Sequence, residues 1–217
     1  MKVLSVNVAV PAPNPAKGLG MTGIDKRPVD HPVEVRPPGP KTTGLHSGVV
    51  GDRIGDVKHH GGDNQAVYAY AREDYDWWEK ELGRDLPGGF FGENLTTLGL
   101  DVNAAQIGEI WRVGDVVELQ PTFGRIPCAT FQARMAERHW TKRFAAANRT
   151  GAYLRIVAPG SIRAGDPIEI VHRPARSVSI AEAFHIYMFD HDAFPRLLEA
   201  ESLPDDLRAE IESSLGK

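Results

Sequence analysis

The sequence predicts a mainly β fold with inserted helices: a β-barrel over residues 1–173, followed by a small three-helix domain over residues 174–217. Three observations carry that prediction. Short runs of strand-like composition recur between turn signals, with 22 glycines and 16 prolines to break them, and many short strands with frequent turns read as a barrel. Two stretches inside that region have helical rather than strand spacing. After Arg173-Pro174 the pattern changes to three short helix-like runs.

Residues 2–10 alternate apolar and polar, as a half-buried strand does, and are too short and too alternating for a signal peptide. Pro11 to Gly20 reads as a loop. A short strand is expected around Val33–Arg36, ended by Pro37-Pro38-Gly39-Pro40. The glycine-rich stretch from Gly44 to Gly55 can bring backbone N–H groups close to a ligand. Gln65–Tyr70 reads as a strand. Arg72–Gly83 reads as a helix with Trp78 and Leu82 on one face and Gly83 past its end; the pair Trp77-Trp78 buries it. Leu86–Gly92 is loop and Glu93–Leu98 strand. Ile107–Gln120 forms a hairpin turning at Gly114-Asp115. Thr130–Ala147 is expected as one helix, with Phe131, Met135, Trp140 and Phe144 on one side. Strands Gly151–Val157 and Pro167–Val171 follow, punctuated by turns at Ala158-Pro159-Gly160 and Ala164-Gly165-Asp166. In the tail, helices are expected over 179–187, 191–200 and 204–215, with Ser179 and Asp205 as N-caps and Pro204 at a helix start. So short a segment is expected to pack on the barrel or on a partner.

The composition bounds the function. A chain of 217 residues suits one large domain with an appendage. A net charge of -4 argues against nucleic acid as a partner. No apolar run approaches the roughly 20 residues a membrane span needs. Neither G-x-G-x-x-G, a P-loop nor G-x-S-x-G occurs, so Rossmann, nucleotide-hydrolase and α/β-hydrolase chemistry lack their usual support. There is no pyridoxal or flavin motif either. A single cysteine and no export signal point to a reducing cytoplasm.

That cysteine, Cys128, cannot form an internal disulfide. It is a small buried residue, a nucleophile or a lone thiolate ligand to a metal. Pro127 fixes the backbone before it, and Arg125 is a permanent cation that favours the thiolate. A buried cysteine behaving as a small hydrophobe is the competing reading. In Gly51–Gln65, Arg53 can grip a phosphate with two prongs, with glycine N–H groups beside it; a polar surface loop is the alternative. His59-His60 does not make a zinc site, because neighbours on a strand face opposite ways and no partner motif exists. One histidine that caps or orients a neighbour fits better. Asn94, in Phe91-Gly92-Glu93-Asn94-Leu95-Thr96-Thr97, can donate and accept toward a heterocycle, or merely hold a turn. Arg149, before Thr150-Gly151, can meet an anion or a surface carboxylate.

The order of these segments resembles the MOSC family, the domain shared with the C-terminal part of molybdenum cofactor sulfurases, and within it the YiiM-type subgroup. The residues that carry the likeness are Thr22–Val29, Gly51-Asp52-Arg53, His60–Tyr68, Phe91–Thr97, Pro127-Cys128, Arg149–Leu154 and Ala164-Gly165-Asp166. The helical tail resembles the three-helix domain appended in that subgroup. The resemblance implies a barrel that binds the molybdenum cofactor (molybdopterin), a pterin with a dithiolene and a terminal phosphate. Cys128 would supply a thiolate to molybdenum, a soft ligand for such a metal. Arg53 would neutralise the phosphate, helped by Lys26 and the backbone at Thr22-Gly23. His60 and Asn94 would contact the pterin or nearby solvent, with Arg125 and Arg149 as further cofactor-binding cations. The implied activity is reduction of N-hydroxylated compounds, such as N-hydroxylated purine bases, as a detoxification. Electrons would come from a separate flavin-dependent reductase. The alternative is a carrier that holds the cofactor, or a persulfide sulfur on Cys128, for another enzyme. The tail, with Ala181, Phe184, Tyr187 and Phe189, would dock the electron donor or mediate a homodimer.

Overall fold

The structure is a computed structural model that describes residues 1–16 and 20–216. The expected Pro11–Gly20 loop therefore lies partly outside the described residues. The strands are β1 (Lys2–Ala9), β2 (Ala12–Pro13), β3 (Met21–Thr22), β4 (Lys26–Val29), β5 (Val33–Val35), β6 (Val67–Ala71), β7 (Leu95–Leu98), β8 (Ile110–Val113), β9 (Val117–Gly124), β10 (Ala152–Ala158), β11 (Gly160–Ile162) and β12 (Ile168–His172). The helices are α1 (Arg72–Leu82), α2 (Ala129–Met135), α3 (Trp140–Ala147), α4 (Ile180–Phe189), α5 (Phe194–Leu197) and α6 (Asp205–Leu215).

Eight strands form one mixed sheet in the order β12-β8-β9-β10-β6-β7-β1-β4. Every ladder in it is antiparallel except β6–β7. The expected closed barrel is not formed, because the order has two ends. Strand β4 covers β1 only from Val6 to Ala9, which leaves one edge of the first residues open. Residues 165–168 meet that edge: Val3 N–H donates to Asp166 O at 2.9 Å, Ile168 N–H donates to Met1 O at 3.0 Å, and Lys2 bridges Pro167. The contact is an isolated bridge rather than a ladder, so the eight-strand order is not joined end to end.

The expected single helix Thr130–Ala147 is two. Ala136 and His139 adopt left-handed backbone conformations, with φ of 54° and 55°, and split α2 from α3. The two still share one face: Phe131, Met135, Trp140 and Phe144 pack with Tyr75 and Trp78 in an aromatic cluster beside β6. Among the tail expectations, Ser179 caps α4 by accepting from Glu182 N–H at 3.1 Å. Asp205 does not cap α6; Pro204 occupies that position and gives no side-chain bond. The stretch 191–200 holds only a 3-10 turn, His191–Ala193, and the short α5. Ile180, Phe184, Leu197 and Ile211 of the tail join the same apolar cluster as Val6, Leu119 and Leu154 of the sheet. The tail therefore lies on the sheet at β9. Among the described residues no helix is long and apolar enough to cross a membrane.

Candidate functional site

One buried carboxylate organises the site. Asp52 accepts from Ala9 N–H at 2.9 Å, Ser47 Oγ at 2.9 Å and Asn94 Nδ2 at 3.0 Å, and Lys26 Nζ reaches both of its oxygens. Burial alone would push its pKa up. The Lys26 charge and the bonds from Lys26, Asn94 and Ser47 outweigh that and hold the carboxyl below its ordinary value. Asp52 thereby ties β1, β4, the 47–52 loop and the start of β7 into one wall. Sequence reading quoted Asp52 as Arg53's neighbour and missed this role. Its signal was faint, an acid inside a glycine-rich run with nothing local to pair it.

Two glycines let the neighbouring backbones touch. A Cβ on Gly23 would lie 1.8 Å from Arg53 O, and one on Gly55 would lie 2.0 Å from Met21 O. Segments 21–23 and 53–55 can thus run side by side, and this places Thr22, Gly23 and Arg53 at the rim of one cavity. The Arg53 side chain makes no hydrogen bond or ion pair among the described residues and is exposed. The neighbouring cation Lys26 is spent on Asp52.

Arg125 forms the floor. It is 6% exposed, yet its guanidinium lies over the rings of Phe131 (4.0 Å) and Tyr68 (5.2 Å), and it donates to Phe91 O. Burial works against its charge, but the oxygens of Tyr68 and Tyr153 and the sulfur of Cys128 raise its pKa overall. Phe91 N–H donates to Tyr75 Oη at 2.8 Å, and Tyr75 Oη donates at 2.7 Å to buried Glu93, which also accepts from Thr96 Oγ1 at 2.8 Å and Gly89 N–H at 2.5 Å. Glu93 in the sequence motif is thus a brace for the loop under Arg125.

Cys128 is the residue before the first turn of α2, half-buried, and its sulfur opens on this cavity. Burial would raise its pKa. A hydrogen bond with His60, the charge of Arg125 and the Phe131 backbone N–H overcome that and draw the thiol from 9.0 down to about 6. The competing picture of an inert core cysteine does not fit this setting.

Of the nine residues that sequence reading marked, eight line the cavity: Cys128, Thr22, Gly23, Lys26, Arg53, His60, Asn94 and Arg125. Arg149 does not. It pairs with Asp74 at 2.7 Å and covers the Trp77 ring. Asn94 is brought to the site with its amide already committed, since it donates to Asp52 and accepts from Tyr68 N–H at 3.2 Å. Among the described residues no group of three or more His, Cys, Asp or Glu is placed to hold a metal. A metal here would take Cys128 as its protein ligand and its other donors from a cofactor.

The first cavity encloses about 110 Å³. A second, of about 530 Å³, lies on the other side of Cys128, between β9 and the tail helices α4 and α6. The two share Asp56, His60, Gln65, Cys128, Thr130 and Tyr153 as a common wall.

Residues 56–169 match the family model described as the MOSC domain. The chain is 32% identical over 162 residues to Protein YiiM of Escherichia coli (strain K12), covering 72% of this chain and 71% of that protein. It is 29% identical over 161 residues to a protein named Reductase from Gibberella moniliformis (strain M3125 / FGSC 7600), covering 73% of this chain but 28% of that longer one. The crystal structure of YiiM from Geobacillus stearothermophilus superposes with a TM-score of 0.77 at 28% identity, over 98% of this chain and 97% of that one.

Proposed function

The chain belongs to the MOSC domain family, and from that premise we propose that it is a molybdenum-cofactor-dependent oxidoreductase that reduces N-hydroxylated compounds, N-hydroxylated purine bases among them. Electrons come from a separate flavin-dependent reductase. The observation that carries the reading is the position of the one thiol, in the wall of a cavity that also presents Arg53 and Arg125. The YiiM-like fold and the relative named Reductase support the same class of chemistry.

The donor set fits the cofactor. Cys128 offers a soft thiolate, and Arg53 is a cation at the rim with no partner among the described residues. Volume alone would put a large ligand in the second cavity. Charge decides otherwise: Arg53 and Arg125 line the first cavity, where Lys26 is paired with Asp52, whereas among the described residues no lysine or arginine lines the second. A terminal phosphate would pair with Arg53.

When bound, the cofactor supplies the exchange of two electrons and the acceptance of oxygen. The reaction consumes two electrons and two protons, breaks the N–O bond, and yields amine and water. The chain holds the thiolate with Arg125 below it and the Phe131 N–H behind it. His60, bonded to the sulfur at the junction of the two cavities, is the ring placed to pass a proton. Asn94 and Lys26 act through Asp52, which they position. Residues 174–217 would serve as the helical appendage of the family, docking the donor or a second copy. A cytoplasmic setting suits the free thiol.

Molybdenum content of protein from a cofactor-producing host, with turnover of an N-hydroxylated base by reduced dye, tests the reading. Metal and turnover should both be present, and Cys128→Ala should abolish turnover in a folded protein. Full activity in that variant refutes the ligand role. The carrier reading, which the access to Cys128 from two sides favours, predicts cofactor or sulfur transfer to an acceptor with no turnover.

A further inference from the structure

The second cavity lies between β9 and the tail helices, on the far side of Cys128. It has the volume of a small-molecule site and a mostly apolar lining with a few convergent polar groups. Its floor is the Cys128 wall. Its aromatic sides are Phe123 of β9, Tyr153 of β10 and Tyr187 of α4, with Phe123 and Tyr187 edge to face at 5.6 Å. Its roof is α6, which points Asp206 and Glu210 into the opening. Tyr187 Oη donates to Glu210 Oε1 at 2.9 Å, so the two tail helices are tied together above the opening. Asp56, held against His59, adds a third carboxylate to the lining.

The two cavities on either side of the sulfur thus differ in sign. The first carries Arg53, Arg125 and a Lys26 already paired with Asp52, with Asp56 at its edge; the second carries Asp56, Asp206 and Glu210, and among the described residues no lysine or arginine lines it. We infer that the second cavity is the substrate pocket, that α4 and α6 of the tail form its specificity wall, and that Asp206 and Glu210 select uncharged or cationic planar nitrogen bases while rejecting carboxylated or phosphorylated ones. This deepens the reductase reading and rests on it for the word substrate. The rejection comes from like charge: an anion entering the pocket would meet the carboxylates of Asp206 and Glu210. A free base or an amidine meets aromatic faces and hydrogen-bond acceptors instead. By the same argument a nucleotide is excluded where its base is accepted.

The test needs neither cofactor nor turnover. Benzamidine and benzoate are flat, similar in size and opposite in charge. Calorimetric titration of the purified full chain should show benzamidine binding at least about tenfold more tightly than benzoate. The exposed pair Asp206→Asn with Glu210→Gln should weaken benzamidine about tenfold, the size expected for two partly solvated ion pairs. Tyr187→Phe, which loosens Glu210, should weaken it less. Equal affinity for the two probes, no binding of benzamidine, or a double variant that binds it unchanged would each overturn the assignment. Protein lacking molybdenum or turnover would instead count against the reductase reading and leave this result standing.

Discussion

A lone thiol allows its ionisation to be read directly. The perturbation is pH, and the probe is iodoacetamide, which alkylates the thiolate only. With the pKa at about 6, about nine-tenths of Cys128 is thiolate at pH 7, against about one in a hundred for a thiol at 9.0. That is nearly a hundredfold in reactive species. The gain in rate is far smaller, because a thiolate of lower pKa is a weaker nucleophile. With a Brønsted slope of about 0.45, a drop of about three pKa units costs roughly twentyfold in intrinsic reactivity. The net advantage at pH 7 is therefore about fourfold, too little to diagnose the site from one rate. The midpoint of the rate–pH profile is the decisive quantity. It should lie near 6 and should rise in His60→Ala, since the bond from His60 is the leading influence that lowers it. A wild-type midpoint near 9, or one that His60→Ala leaves in place, refutes the electrostatic account of the wall.

Three further outcomes separate structural from binding roles. Asp52→Asn leaves buried Lys26 without its counter-charge and should cost about 3–5 kcal/mol in urea unfolding; a loss below about 1 kcal/mol would contradict the organising role. Arg53→Ala, at an exposed and unpaired side chain, should stay within about 0.5 kcal/mol of wild type while the molybdenum retained on purification falls. Unchanged metal with unchanged stability would remove Arg53 from the site. Finally, because folding lowers the Cys128 pKa, its stabilising effect is complete above the unfolded value of about 8.5 and disappears as pH falls through about 6. The unfolding free energy of wild type relative to Cys128→Ser should therefore increase from pH 6 to pH 9, by on the order of 1 kcal/mol per pH unit at most. A difference that stays flat or falls over that range has the wrong sign.

Local signals were legible where local physics decides. The α1 stop at Gly83, with φ of 65°, the hairpin of β8 and β9, and the Ser179 cap depend on neighbours within a few residues. The break between α2 and α3 was hidden, because alanine and histidine at left-handed positions carry no turn signature. The open sheet was hidden for another reason: closure depends on what meets the free edge at Lys2, and the answer lies at Pro167, far along the chain. The same holds at the site. Cys128, Arg53 and Arg125 stood out by type and spacing. Asp52 could not, since its partners come from residues 9, 26, 47 and 94. Arg149 looked like an anion binder only while Asp74, its partner across the aromatic cluster, was out of view.

The arrangement also explains why the tail sits where it does. Its helices bury apolar residues in the sheet's own cluster, which would stabilise the fold from any face. Only against β9 do they also enclose the far side of Cys128. Removing that contact would leave the thiol facing bulk water on one side, where hydration competes with every charge that tunes it. Enclosure on both sides keeps the charge of Arg125 and the hydrogen bond of His60 effective at the sulfur. The same sulfur is thereby open to two cavities of different lining.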